Sequence, residues 1–199
     1  MSDAPTPFLP VSLADWLEVC AKVLLIVGTL VGAAWAYLEY SHKEDQRRIE
    51  GTLGYVKRFS EGNLAESTRR IGGLWYASQN QLQHLRDTAA GADFQRRHQQ
   101  LVMSVIEQGV LVDKDGKASR GAVADVDAVT TFFSELAICV KARLCDATSA
   151  HAFFDDYARR FYCLHEPYLT WKAEHYSASF GQNLAGFAAV DPRKCHEGR

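Results

Sequence analysis

The hydrophobic pattern of this chain begins as a block and continues as a periodicity. Residues 23–38 run for sixteen positions without a charge. Trp16, Val19 and Cys20 extend the apolar character to about twenty residues, which at ~1.5 Å per residue spans a ~30 Å hydrocarbon core. One transmembrane helix over residues 16–40 is therefore expected. Beyond it, apolar residues recur every three or four positions, the period of an amphipathic helix. Ile71, Trp75, Ser78, Leu82 and Leu85 form one stripe, and Phe94, His98, Leu101 and Val105 form a second. Val126, Val129, Phe133, Leu136, Val140 and Leu144 make the strongest, broad enough to centre a core. Phe153, Phe154, Tyr157, Phe161 and Tyr162 follow as an aromatic face. Pro167 then starts or breaks a last segment carrying Tyr168, Leu169, Trp171 and Tyr176. Only residues 110–118 hint at a hairpin, with a turn at Asp113, Lys114, Asp115 and Gly116.

The predicted architecture is all-α: one N-terminal transmembrane helix followed by a cytoplasmic helical bundle. Residues 1–15 form a short extracytoplasmic tail and 16–40 the membrane helix. Residues 41–62 make a juxtamembrane helical stalk, weakened by Gly51 and Gly54. The bundle covers 63–178, opened by the capping pair Asn63 and Glu66, and 179–199 is a loosely structured tail.

Polar residues near the apolar block refine this picture. Glu18 and Lys22 lie one helical turn apart and can pair, and Lys22 can carry its ammonium to the headgroups. Trp16 at one end, with Trp35, Tyr37 and Tyr40 at the other, supplies interfacial aromatics. Two other readings are a buried helix of a soluble protein and a cleaved signal peptide. The second lacks its basic n-region, because residues 1–15 contain no Lys or Arg. Lys43, Arg47, Arg48, Lys57 and Arg58 follow the span closely, so the positive-inside rule puts the N-terminus outside and the domain in the cytoplasm. Gly28 and Gly32 form a GxxxG that Ala36 extends by a turn, a face on which another helix backbone can approach closely.

Composition narrows the function. About 160 residues beyond the span suffice for one core, and a formal charge of -2 offers no basic field for nucleic acid. The aromatics sit at core spacing and are not interleaved with basic positions, which also argues against nucleic acid. The five cysteines, Cys20, Cys139, Cys145, Cys163 and Cys195, are odd in number and contain no CxxC; with Cys20 in or near lipid, the other four read as reduced cytoplasmic thiols.

Candidate chemistry is sparse. His151 and Asp155 at i,i+4, near Asp156, His165 and Glu166, hold groups suited to acid, base or metal-ligand roles. Adjacent helical positions point about 100° apart, and no HExxH, paired ExxH or Gly-rich phosphate loop accompanies them. A zinc quartet of Cys139, Cys145, Cys163 and His165 lacks turn-compatible spacing. The turn at 113–116 is too short for an EF-hand. No catalytic, cofactor or metal residue is assigned.

The C-terminal helices carry a resemblance. The run from Asp127 through Thr130, Phe132, Phe133, Glu135 and Ala137, then Lys141 to Asp146, Phe153-Phe154 and Pro167-Tyr168-Leu169 resembles the bacterial family catalogued as domain of unknown function 4760. The likeness is loose over 45–175 and closer over 125–170, and departs at Leu144-Cys145, where a Gly-containing turn is more usual. It implies a small bacterial protein with an N-terminal membrane helix before an all-helical domain, and brings no catalytic residues.

The expected function is a single-span, membrane-anchored helical interaction module, an accessory or regulatory component of an assembly in the bacterial inner membrane. Its partners are the lipid bilayer and a second copy or another membrane protein, with no nucleic acid and no cofactor. Two alternatives stand beside it: a membrane-tethered metal-dependent or hydrolase-like enzyme built on His151 and Asp155, and an exported, disulfide-linked domain, which oxidation of Cys145 and Cys163 in cells would support.

Overall fold

Helix α1 (Leu13–Ser60) is one continuous element of 48 residues in the computed structural model, which describes residues 13–112, 118–190 and Cys195. It is followed by α2 (Gly62–Ala77), α3 (Gln79–Thr88) and α4 (Gly91–Gln108), then a hairpin of β1 (Val110–Val112) and β2 (Ala118–Arg120). Helices α5 (Val123–Lys141), α6 (Ala147–His175) and α7 (Gln182–Phe187) complete the chain. The all-α expectation therefore holds, with the two three-residue strands as the exception. The chain divides into two compact units, residues 1–46 and 47–199.

In the first unit, α1 is long and apolar enough, by length and composition, to cross a membrane. None of residues 21–40 is buried. A charge-free stretch whose Val, Leu and Ile are exposed differs from the core helix of a soluble domain, which buries them.

The second unit is built around α5. Its Val126, Val129, Phe132, Phe133 and Leu136 are wholly buried, and α5 packs against α2, α4, α6 and α7. The core extends through Ile71 and Leu74 of α2, Val102 and Ile106 of α4, and Phe154, Phe161 and Leu169 of α6. Residues 47–60 of α1 also belong to this unit. Phe59 lies 5.0–6.0 Å by ring centroid from Phe132, Phe133, Phe154 and Tyr157, and Thr52 is fully buried. The stalk expected over 41–62 is thus corrected over its second half, where Tyr55, Val56 and Phe59 pack against the core.

Other boundaries also moved. The stripe from Ile71 to Leu85 is two helices, because Ser78 caps the end of α2 through its N–H on the Leu74 carbonyl and opens α3 by accepting from Gln81 and Leu82. Leu144 falls beyond α5 and is exposed. Pro167 neither starts nor ends a helix: α6 runs through it. The ring removes the N–H that would bond the Cys163 carbonyl, and burial of Pro167, Tyr168 and Leu169 in the core holds the helix together across that gap. The segment expected to be a loose tail contains α7, with Leu184, Phe187 and Ala188 buried.

The hairpin signal is matched by β1 and β2, paired antiparallel with Val110 opposite Arg120. The expected turn at Asp113, Lys114, Asp115 and Gly116 lies outside the described residues, as do residues 1–12 of the expected N-terminal tail.

Candidate functional site

The small face of α1 is open. A Cβ placed at Gly28 or Gly32 would meet nothing within 4 Å, and Ala36 is exposed. Trp16, Trp35, Tyr37 and Tyr40 are all exposed. Lys22 donates to Glu18 at 2.7 Å, one turn away. Thr29 turns its hydroxyl back onto the Leu25 and Ile26 carbonyls, so this polar side chain is satisfied within its own helix.

In the second unit, the start of α6 is clamped to α1. Asp146 donates its N–H to the Thr52 hydroxyl at 2.9 Å, and Thr52 donates to the Arg48 carbonyl at 3.0 Å. Asp146 also N-caps α6 by accepting the Ser149 N–H at 2.7 Å. Its carboxyl is held below the usual range first by the hydrogen bonds from Ser149, with the charge of Arg48 assisting. Gly51 makes this approach possible: a Cβ there would sit 3.0 Å from the Leu144 carbonyl oxygen. The two turns of chain need a residue without a side chain, which is a different role from the helix weakening that the sequence pattern assigns to Gly51.

Four cysteines are paired. Cys139 joins Cys145 across the end of α5, and Cys163 of α6 joins Cys195, leaving Cys20 of α1 as the free thiol. The reading of these four as reduced thiols is corrected. Cys139 and Cys145 meet because α5 ends at Lys141 and Arg143 adopts a positive φ of 59°, which turns the chain back on itself. The available signal was arithmetic: once Cys20 is set aside with the apolar helix, an even number remains.

Of the titratable groups around His151, Asp155 meets it, while Asp156, His165 and Glu166 take other partners. His151 faces Asp155 at 3.6 Å, and its ring stacks on Phe187 at 4.7 Å. Asp155 pairs with Arg159 at 2.7 Å and Asp156 with Arg160 at 3.0 Å. Glu166 accepts from Thr170 at 2.9 Å. His165 is in the interior: Trp75 donates its indole N–H to Nε2 at 3.0 Å, and Nδ1 is 2.8 Å from the Phe161 carbonyl. That geometry requires the neutral tautomer with its proton on Nδ1. Burial lowers the His165 pKa to about 4. Among the described residues no group of three or more His, Cys, Asp or Glu side chains is arranged to hold a metal ion.

Two partly buried ion pairs tie elements together. Arg70 of α2 donates to Asp125 in the first turn of α5, and Lys172 of α6 to Asp127. Tyr168 also donates to Asp127, at 2.9 Å, and its own pKa is raised, first by burial and then by this carboxylate. Lys172 rests 4.7 Å from the Phe180 ring centroid. Lys172 and Tyr168 fix α6 against Asp127 of α5, and Arg70 ties α2 to α5, its buried Nε left without a hydrogen-bond partner among the described residues.

No family model matches this chain, and neither does any curated protein or solved structure.

Proposed function

We propose that this protein is a single-span membrane protein of a bacterial inner membrane whose helical bundle serves as an interaction module, an accessory or regulatory part of a membrane-associated assembly. The observation that carries the reading is the contrast within α1: residues 23–38 are exposed and free of charge, whereas from Arg47 onward the helix contributes to a closed core. Exposed apolar surface of that length calls for lipid or a partner. The Gly28, Gly32, Ala36 face is then the contact surface for a second copy or for another membrane protein. Kinship with the bacterial family catalogued as domain of unknown function 4760 is part of the same proposal. The enzyme alternative keeps its His151–Asp155 contact at 3.6 Å, but Asp156 and His165 are paired elsewhere and bring no third group to it.

We assign the domain to the oxidising side of the membrane, with the N-terminus in the cytoplasm. This reverses the orientation expected from Lys43, Arg47, Arg48, Lys57 and Arg58. Disulfides persist in the bacterial periplasm and are rare in cytosol, and the pairing of all four domain cysteines supports export more than five basic residues oppose it. Acidic Glu44, Asp45 and Glu50 are interspersed among those basic residues.

Purification in mild detergent, with the assembly mass read for the native chain and for Gly28→Leu with Gly32→Leu, tests the contact surface. The proposal expects an oligomer or a co-purifying membrane protein that the double variant loses. An assembly of unchanged mass would reject it.

A further inference from the structure

The second unit contains a cavity of about 680 Å³ between α3, α4 and α6, within the size range of small-molecule sites. Leu82, Phe94 and Leu164 give it apolar walls, and the Cys163–Cys195 disulfide closes another side. Phe94 and His98 stack nearly parallel at 5.6 Å, making one wall flat. Arg86 and Arg160 also line the cavity. Both are exposed, which puts two cations beside an apolar interior. Arg160 is engaged with Asp156, but the Arg86 guanidinium has no hydrogen-bond or ion-pair partner among the described residues.

We propose that this cavity binds a single-chain anionic amphiphile, a fatty carboxylate whose hydrocarbon tail lies along Leu82, Phe94 and Leu164 and whose headgroup pairs with Arg86. An apolar interior removes a hydrocarbon chain from water at ~25 cal/mol per Å². A planar guanidinium meets a carboxylate through two parallel N–H···O bonds, which selects that headgroup over a neutral one. A wholly polar anion would leave the apolar walls wet, and an uncharged lipid would leave Arg86 without its counter-ion. The inference does not depend on which side of the membrane the domain occupies.

The test is calorimetric titration of dodecanoate into the full chain held in zwitterionic lipid nanodiscs, with empty discs subtracting partition into lipid. The expected result is one saturable site per chain. Dodecanol and Arg86→Gln should each weaken binding about tenfold, and Arg86→Lys should retain part of the affinity because it keeps the charge without the fork. Circular dichroism melting should be unchanged in both variants, since Arg86 is exposed. Absence of a saturable component would overturn the proposal, as would equal affinity for dodecanol or for the Arg86→Gln chain.

Discussion

Thr52 and Asp146 stand 94 positions apart and share a hydrogen bond of 2.9 Å, from the Asp146 N–H to a hydroxyl that is itself fully buried. Through this contact α1 becomes part of the folded domain instead of a spacer leading to it. Thr52→Val keeps the shape and deletes the acceptor, so a buried N–H loses one of its partners. Chemical unfolding of the full chain in lipid nanodiscs should show a loss of about 1–2 kcal/mol, with Thr52→Ser losing less.

Gly51 and Gly54 separate packing from propensity on the same helix. A Cβ at Gly54 meets nothing within 4 Å, whereas one at Gly51 would press on the Leu144 carbonyl. Gly54→Ala should stabilise the domain by about 0.5–1 kcal/mol through helix propensity. Gly51→Ala should gain less or destabilise, and Gly51→Leu should destabilise outright. Melting curves for the three variants distinguish a tight approach from plain helix weakening, which would have both alanine variants gain equally.

His165 makes stability depend on pH in a defined direction. Its pKa is about 4 when folded against 6.5 for the free side chain, so the unfolded chain binds the extra proton between those values. The stabilisation is complete above about pH 6.5, falls as the pH drops below it, and is fully lost near pH 4. The whole change is about 3 kcal/mol. Urea midpoints measured at pH 7, 5.5 and 4.5 should decline in that order. His165→Gln should flatten this part of the profile. Trp75→Phe leaves Nε2 without its donor and should cost about 1–2 kcal/mol at pH 7.

The two disulfides differ in the loops they close. The Cys163–Cys195 bridge spans 32 residues and Cys139–Cys145 spans 6. Chain-entropy reasoning gives about 3.5 and about 2 kcal/mol respectively. Paired Cys→Ser variants should lose stability in that order. Acid-trapped cells treated with an alkylating mass tag under denaturing, non-reducing conditions should show one tagged thiol, Cys20.

Periodicity revealed α5 as the core and located most of the helical faces, because a helix that buries one side must repeat its apolar residues at 3.6. It could not reveal that Phe59 and Thr52 belong to that core, since they follow the apolar block on an unbroken helix with no punctuation between the two uses. Pro167 misled for a related reason: its local effect is to break a helix, and burial of the flanking Tyr168 and Leu169 overrides it. The cavity beside Arg86 was illegible, because its walls come from α3, α4 and α6 and no short motif joins them. That Gly28, Gly32 and Ala36 share one open face could be read from the sequence, since it depends on one helix alone.

The central claim is that a membrane helix in α1 carries a disulfide-linked domain to the oxidising side, and paired reporter fusions at the C-terminus measure it most directly. An alkaline phosphatase fusion should be active and a green fluorescent protein fusion exported through the same route should be dark, both fractionating with carbonate-washed membranes. A bright fluorescent fusion with inactive phosphatase would contradict the assignment, and recovery of either fusion in the soluble fraction would contradict the anchor itself.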